Sequence, residues 1–233
     1  MDYRDRQVVV TGGTGALGGA VVAALIEAGA VCHIPYIDAG ELERFSLRTH
    51  ARVALAGKVD LSDESAVRKF YEGLPPLWAS IHLAGGFGMS AVAKTTKADL
   101  TKQLEMNFVT AFLCCAAAVR SMERTGAGGR IVNVATRPAL EWRTGAGMAA
   151  YTASKAAVAA LTVALAEEAV KHGILVNAIA PSTMDTPANR KAMPDADPAG
   201  WAKVEDVTAT ILFLASPENR VTRGAVVPVY GRS

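Results

Sequence analysis

Tyr151 and Lys155 are the residues whose types and spacing point most directly to chemistry. They stand four apart in the run Tyr151-Thr-Ala-Ser-Lys155, so on a helix they share one face. A phenol has a reference pKa of about 10, and a neighbouring ammonium group favours its ionised form. We therefore expect Lys155 to make Tyr151 usable as an acid or base near neutral pH. Such a pair also arises by chance on amphipathic helices, so its meaning depends on the elements around it.

A glycine-rich turn near the amino terminus gives the pair its context. The run Thr11-Gly-Gly-Thr-Gly-Ala-Leu-Gly18 follows an apolar strand and opens a helix. Small residues let the backbone approach a pyrophosphate, and the helix amino terminus stabilises its charge. The alternative is a tight strand-to-helix connection without a ligand. The candidate contacts in this turn are Thr11, Gly12, Thr14, Gly15, Ala16, Leu17 and Gly18.

Apolar β-branched runs alternate with alanine-rich helical stretches along the whole chain, a pattern typical of a parallel sheet covered on both faces. The predicted strands are Gln7–Val10, Ala30–Pro35, Arg52–Val59, Ser80–Leu83, Arg130–Val134, Ile174–Ile179 and Ala225–Val229. The predicted helices are Gly15–Glu27, Asp63–Glu72 with Ser62 as its N-cap, Asp99–Arg124, Met148–Lys171 and Val204–Ala215. The pattern predicts an α/β fold: a single-domain, Rossmann-type, doubly wound parallel sheet of about seven strands, spanning residues 1–233.

Composition excludes several other classes. With 51% hydrophobic and 20% charged residues, the 233-residue chain is long and apolar enough for one large globular core. A net charge of +2 indicates no nucleic-acid or anionic-membrane partner. We expect no membrane span, since no apolar run is long enough, and no signal peptide, so the predicted location is cytoplasmic. The three cysteines and four histidines show no disulfide framework and no metal-ligand spacing.

Further residues lie where a dinucleotide would extend beyond the glycine turn. Asp60, with Leu61 beside it, follows the third predicted strand, where its carboxylate suits an adenine amino group. Ala84, Gly85 and Gly86 follow the fourth strand and would let backbone pass close to the adenosine ribose. Either feature alone has an ordinary explanation as loop chemistry.

The end of the second predicted strand bears on the choice between NAD and NADP. An acidic residue there holds a ribose 2′-hydroxyl, whereas a nearby arginine suits a 2′-phosphate. Tyr36 occupies the place where the acid is expected, and Asp38 comes two residues later. Arg44 and Arg48 follow. The missing acid favours NADP, with NAD as the alternative.

Taken together, these motifs resemble the short-chain dehydrogenase/reductase family over nearly the whole chain. The motifs are the glycine turn, Asp60, Ala84-Gly85, Asn107, Tyr151-x-x-x-Lys155, Asn177 and Pro181 to Thr186. The resemblance implies that Tyr151 donates a proton to a substrate carbonyl and that Lys155 binds the nicotinamide ribose. It also implies that Asn107 holds a water linking Lys155 to solvent. The resemblance further implies that four residues lie beside the nicotinamide: Ile179, Pro181, Thr183 and Thr186.

One position departs from the family pattern. The family places a catalytic serine at the end of the fifth strand, where this chain has Ala135-Thr136-Arg137. Thr136 either polarises the substrate carbonyl, as that serine does, or caps a turn without a catalytic part. The missing serine, the turn Ala84-Gly-Gly-Phe87 and the segment Asp185 to Asp197 are similar to the dihydropteridine reductase subgroup. That likeness implies a pterin-like substrate, with Phe87 stacking on a flat ring.

Two loops and two helices bear on substrate and assembly. Segment 182–203, rich in Pro, Asp and Ala, follows a strand's carboxyl end and is interpreted as a substrate lid; a plain surface loop is the alternative. The loop Arg137 to Gly147 either shapes specificity or is a solvated charged loop. The apolar runs Ala111–Val119 and Ala156–Ala166 favour a homodimer or homotetramer, as in the family, although burial within one subunit also explains them.

The most favoured function is hydride transfer from a reduced nicotinamide to a C=O or C=N carbon, with a small carbonyl or pterin-like compound as substrate. A broad ketone or aldehyde reductase is the alternative within enzymes. A regulator that binds a dinucleotide without turnover is the alternative from another class. The pair Tyr151 and Lys155 argues against the regulator, because a sensor needs no acid and base.

Overall fold

The strands of the chain form one parallel sheet. The structure, a computed structural model, describes residues 1–232. The strands lie in the order β3-β2-β1-β4-β5-β6-β7, and every neighbouring pair is parallel. They are β1 Gln7–Thr11, β2 Val31–Tyr36, β3 Val53–Gly57, β4 Ala79–His82, β5 Gly129–Val134, β6 Ile174–Pro181 and β7 Val226–Val229. The predicted seven-stranded sheet is confirmed.

Strand β1 illustrates why these segments form strands and where they leave a site. Val8, Val9 and Val10 are β-branched and fully buried, as expected of a strand covered on both faces. Val8 and Val10 belong to the core on one face of the sheet, and Val9 to the core on the other. The sheet order reverses between β1 and β4, where Thr11 pairs with His82. Ligands of open α/β sheets bind at the carboxyl ends beside such a switch point.

Helices cover both faces of the sheet. They are α1 Ala16–Glu27, α2 Ala39–Glu43, α3 Glu64–Glu72, α4 Lys97–Leu104, α5 Thr110–Thr125, α6 Arg137–Leu140, α7 Ala149–Ala169, α8 Pro187–Ala192 and α9 Val204–Ala215. The core on one face contains α1 and α9, and the core on the other contains α3, α5 and α7. The doubly wound arrangement predicted from the sequence is therefore present.

Three local predictions need correction. The side chain of Asp63, not of Ser62, caps α3, because Asp63 accepts from the N–H groups of Ser65 and Ala66. The long helix predicted over 99–124 begins at Lys97 and is divided by a π-helical turn between α4 and α5. The two irregular loops contain short helices, α6 and α8, and each of these has a proline in its first turn.

Two helical stretches, 97–125 and 149–172, are long and apolar enough to cross a membrane by length and composition alone, contrary to the sequence expectation. Both lie against the sheet, α5 on β4 and α7 on β6. Core helices of α/β proteins meet the same criteria, so these two give only weak support for a membrane span.

Candidate active site

The glycine turn joins β1 to α1 at the switch point. Gly12 has a φ of +65°, a conformation that glycine adopts without strain. A Cβ on Gly12 would lie 2.8 Å from the Ala84 nitrogen, so only glycine allows the ends of β1 and β4 to approach this closely. The Thr11 hydroxyl strengthens the junction by accepting from the N–H of Ala84 at 3.2 Å. The turn and the Ala84-Gly85-Gly86 segment therefore form one surface.

The amino terminus of α1 is suited to an anion. Gly15 is the N-cap, and within residues 1–232 no side chain caps the helix and no acidic residue lies in its first turn. A Cβ on Gly15 would contact only the Gly12 carbonyl oxygen, at 3.4 Å. The first N–H groups of this helix therefore have no side-chain cap among the described residues, and they form the positive end of the helix dipole.

Asn107 lies in the π-helical turn Glu105–Val109 and is buried. Its Oδ1 accepts from the N–H of Gly86 at 3.1 Å, and its Nδ2 donates to the Gly86 carbonyl at 2.9 Å. These bonds hold the segment after β4 in place. The helical spacing predicted an unbroken helix here, whereas π turns often mark functional sites.

Lys155 is buried on α7, and its Nζ donates to the main-chain carbonyl of Val134 at 2.8 Å. A Cβ on Gly85 would lie 3.4 Å from this Nζ and 2.6 Å from Asn107 Oδ1. The structure thus brings Lys155, Asn107 and the segment after β4 together. Burial lowers the pKa of Lys155 to about 8.

Tyr151 lies one turn before Lys155 on α7. Burial raises the pKa of its phenol, and a hydrogen bond with the Thr136 side chain opposes part of this rise. The pKa of Tyr151 therefore lies above its usual value and not below it as expected from Lys155, because burial has the larger effect and the ammonium group bonds to the Val134 carbonyl. Phe87 contacts the phenol edge-on, with ring centroids 5.0 Å apart at 76°.

The position of Thr136 bears on its two interpretations. It is the N-cap residue of α6, but within the described residues its side chain makes no capping bond. Instead the buried hydroxyl contacts Tyr151 and donates to the Pro181 carbonyl at 3.5 Å. The lack of a capping bond among the described residues argues against the turn-cap interpretation.

The residues predicted at the end of β6 have mixed roles. Pro181 is buried beside Thr136. Thr186 is also buried, and its hydroxyl accepts from the N–H of Asn189, so it caps α8. Thr183 is exposed, and its carbonyl accepts from the N–H of Ala202.

Ile179 and Asn177, which the family motifs also include, make contacts that stabilise the fold. Ile179 is fully buried in the core. The side chain of Asn177 donates to the Thr222 carbonyl and accepts from the N–H of Ala225. Asn177 therefore joins β6 to the segment before β7.

Three of the predicted adenosine contacts, Tyr36, Asp60 and Leu61, lie at or just after the ends of β2 and β3. The Tyr36 hydroxyl lies over Gly57, where a Cβ would come within 2.6 Å of it. Asp60 is exposed, and its Oδ1 accepts from both the N–H and the hydroxyl of Ser62. Leu61 packs against the core.

A buried polar chain behind the site was also missed. Tyr71 bonds to Ser80, Ser80 to Nε2 of His82, and Nδ1 of His82 to Oδ1 of Asn133, each at 2.8 Å. Asn133 Nδ2 then donates to the Thr162 hydroxyl at 3.0 Å. Burial lowers the pKa of His82 to about 4, so its ring is neutral near pH 7. In the sequence, this polar chain is indicated by two polar residues, Ser80 and His82, that stand two apart on a predicted buried strand.

The chain of bonds admits one arrangement of hydrogens. The Asn133 oxygen only accepts, so Nδ1 of neutral His82 must donate to it and Nε2 must accept from Ser80. The chain ends where the Thr162 hydroxyl donates to the carbonyl of Val158 on α7, one turn after Lys155. It therefore ties the helix that carries Tyr151 and Lys155 to β4 and β5.

The segment 182–203 is fixed at both ends. Asp185 accepts from Arg190 at 2.6 and 3.0 Å and from Lys203 at 2.7 Å, which holds the pKa of its carboxyl below the usual range. Met184 and Ala202 also pair as a parallel bridge. The segment starts beside Thr136, whose hydroxyl donates to the carbonyl of Pro181 just before it.

The glycine turn at the switch point, the uncapped helix amino terminus and the close-packed Gly85 fit a bound dinucleotide. Fold and site together define the class of dinucleotide-binding α/β enzymes. The sequence pattern described as short chain dehydrogenase matches residues 6–197. The chain belongs to the short-chain dehydrogenase/reductase family, as the motifs predicted, and it is an NAD(P)-dependent oxidoreductase.

Individual relatives agree with this assignment. Galactitol 2-dehydrogenase from Rhizobium johnstonii is 33% identical over 96% of this chain and 93% of the relative. L-xylulose reductase from Bos taurus is 30% identical over 99% of this chain and 98% of the relative. The solved structure of ElxO with NADP bound has the same fold, with a TM-score of 0.88 at 22% identity over 97% of this chain and 98% of that chain.

Proposed function

We propose that this oxidoreductase reduces a C=O or C=N group and that Tyr151 donates the proton. The observation that carries the proposal is the arrangement of three groups: Tyr151 lies one helical turn from buried Lys155, and Thr136, at the end of β5, lies close enough to lower the pKa of the phenol. Two hydroxyls that meet in this way suit one polar atom of a substrate, with Thr136 as the polarising group.

The shifted pKa values give each side chain a role. Because burial raises the pKa of Tyr151, its phenol is protonated near pH 7 and is a proton donor. Lys155, with a pKa of about 8, is mostly an ammonium ion at that pH. A positive charge one turn away stabilises the phenolate that forms as the proton leaves. Asn107 fixes the backbone beside Lys155 and, by the family resemblance, would hold a water that resupplies the proton.

The same proposal assigns the residues that would hold the cofactor. The turn from Thr11 to Gly18 would bind the pyrophosphate, and Lys155 the nicotinamide ribose. Pro181, Thr183 and Thr186 would lie beside the nicotinamide, and Asp60, Leu61 and the segment Ala84 to Gly86 beside the adenosine. The reduced cofactor supplies a hydride. The missing acid at Tyr36 predicts NADP, as bound in the ElxO structure, with NAD as the alternative.

Two substrate classes have support. The exposed ring of Phe87 beside Tyr151 offers a surface for a flat heterocycle, which favours a pterin-like, dihydropteridine-reductase-like substrate. The names of the galactitol and xylulose relatives favour a carbonyl compound of the polyol and ketose type. The loop from Arg137 to Gly147 and the lid at 182–203 would shape the choice.

The test is oxidation of NADH and NADPH by wild type and Tyr151→Phe, against quinonoid dihydropterin and a panel of ketones, aldehydes and ketoses. We expect turnover that Tyr151→Phe reduces about 10²- to 10⁴-fold, while cofactor affinity, measured by calorimetry, stays unchanged. Turnover of the pterin would favour the first class, and turnover of carbonyls alone the second. Cofactor binding with no turnover of any compound would favour a sensor.

Assembly and location complete the proposal. Phe112 on α5 and Val163 on α7 are both 48% exposed, which supports a homodimer or homotetramer that buries these helices. Light scattering of the purified chain tests the assembly. We also propose a cytoplasmic location.

A further inference from the structure

Tyr230, the first residue after β7, lies against the short helix α6. The Arg137 guanidinium is placed over its ring, with Cζ 4.9 Å from the ring centroid. Arg137 also donates from Nε to Oε2 of Glu141, the C-cap of α6, at 2.7 Å. Burial, and after it the nearby carboxylate of Glu141, raises the pKa of the Tyr230 phenol, so its hydroxyl is protonated near pH 7. Tyr230 therefore faces both ends of α6.

The main chain at Tyr230 holds the start of the segment 182–203. The Tyr230 carbonyl accepts from the Ser182 hydroxyl at 2.7 Å. The carbonyl of Val229, one residue earlier, accepts from the N–H of Ser182 at 3.2 Å. The side chain of Tyr230 thus contacts α6 while its main chain fixes the residue with which the lid segment begins.

The residues after Tyr230 hold the other end of the same segment. The N–H of Arg232 donates to the Gly200 carbonyl at 3.0 Å. Gly231 has a φ of +67°, and a Cβ there would lie 2.8 Å from the Gly200 carbonyl oxygen. The segment 230–232 therefore packs against both ends of 182–203.

These contacts close a ring that includes Thr136. The Thr136 hydroxyl donates to the carbonyl of Pro181, and Pro181 pairs with Val229 in the sheet. From Val229 the chain continues to Tyr230, whose ring returns to Arg137, the residue after Thr136. The orientation of Thr136 is thus linked to the position of Tyr230 from two sides.

The helix α6 needs such support from outside. It has four residues, of which Ala139 is the buried one. A helix of one turn is not stable by itself, so its position depends on what it packs against. Thr136 is the N-cap of this helix, and any shift of α6 moves the Thr136 hydroxyl relative to Tyr151.

We propose that Tyr230 is a positioning residue, which holds α6 so that the Thr136 hydroxyl faces Tyr151. The inference rests on the proposed function, in which Thr136 polarises the substrate carbonyl. A displacement of about 1 Å can lower a rate about a hundredfold, so loss of the Tyr230 ring should lower kcat without weakening cofactor binding. One side chain thereby ties the lid segment and the polarising hydroxyl to the same point of the fold.

The test is a double-mutant cycle of Tyr230→Leu with Thr136→Val, measured as kcat with saturating cofactor. We expect Tyr230→Leu to lower kcat about ten- to a hundredfold in wild type. In Thr136→Val it should lower kcat less than about twofold, because the hydroxyl that Tyr230 positions is already gone. Tyr230→Phe keeps the ring over Arg137 and should retain most of the activity. Phe213→Leu, which removes a partly exposed ring from α9, is the control and should leave kcat unchanged.

Hydrogen exchange gives a second measurement that needs no turnover. In Tyr230→Leu the amides of α6 and of 182–203 should exchange faster than in wild type, while those of the core strand β1 show that the variant is folded. Equal losses of kcat in the wild-type and Thr136→Val backgrounds, or unchanged exchange in Tyr230→Leu, would overturn the inference and leave the reductase proposal intact. A wild type that turned over no compound would instead refute the proposed function, and the role of Tyr230 with it.

Discussion

The two ends of the site are built differently. At the catalytic end, Asn107, Thr136 and Lys155 are buried and each is held by a hydrogen bond to a neighbouring strand or loop. At the turn end, Glu41 accepts from the hydroxyl of Thr14 and is half-buried, and Asp60 is exposed; they lie on or beside a short helix and an edge strand. The catalytic end is fixed by the core of the fold, whereas the turn end depends on surface segments.

This difference separates the expected effects of substitution. Thr136→Val and Tyr151→Phe, at the catalytic end, should change turnover and leave cofactor affinity in place. Variants at the turn end should change cofactor affinity and leave the chemical step in place. A variant that moved both quantities equally would show that the two ends act as one unit.

Thr136→Val tests the catalytic end most strongly. It removes the hydroxyl that contacts Tyr151, and we expect kcat to fall about 10²- to 10³-fold, as for the loss of one donor to a developing oxyanion. Thr136→Ser keeps a hydroxyl and should retain most of the activity. Steady-state kinetics with saturating cofactor measures both variants. A kcat of Thr136→Val equal to that of wild type would show that Thr136 has only a structural role.

The pH dependence gives a second, smaller effect. Lys155 loses its proton near pH 8, so kcat/KM should fall about tenfold per pH unit well above that value. Tyr151 does not cause this fall, because burial moves its pKa upwards. A rate that stayed level up to pH 10 would contradict the role given to the ammonium group.

The same group should have the opposite effect on stability. The folded pKa of Lys155 lies at about 8 against an ordinary value of 10.5 in the unfolded chain. Between these values the unfolded chain binds more protons, so the free energy of unfolding should rise with pH while activity falls. Urea denaturation from pH 7 to 10.5, with Lys155→Met for comparison, checks the sign of the slope.

The contrast between the two ends also explains what the sequence could predict. The strands, the long helices and the pairing of Tyr151 with Lys155 follow from β-branched runs and helical spacing, which depend on local chemistry. Family motifs then placed Asn107 at the same site. The boundaries of α9, Val204–Ala215, were predicted to the residue.

The rest depended on contacts between segments distant in sequence. Glu41 and Thr14 are 27 residues apart, and His82 and Asn133 are 51 apart, so no periodicity links them. The pKa of Tyr151 was expected to fall because its neighbour was visible in the sequence and its burial was not. Ser62 and Asp63 are both good caps, and only the backbone geometry shows which one acts.

The smallest predicted effect concerns the polar chain behind the catalytic end. Thr162→Val removes the acceptor of Asn133 Nδ2 and the bond to the Val158 carbonyl, both fully inside the core. An unsatisfied buried donor costs about 1–3 kcal/mol, so the free energy of unfolding should fall by that amount. Because the chain of bonds also fixes α7 against β5, kcat should fall while the Kd for cofactor changes little.

Thr208→Val is the matched control for this substitution. Thr208 lies on α9 and is also buried, but its hydroxyl has no hydrogen-bond partner among the described residues. Replacing that hydroxyl with a methyl group should leave stability unchanged or raise it. Urea denaturation and kcat are measured for both variants. Equal losses of stability in both variants would mean that the hydrogen bonds of Thr162 contribute nothing beyond packing. A loss of stability in Thr162→Val with unchanged kcat would show that the polar chain does not position Tyr151 and Lys155.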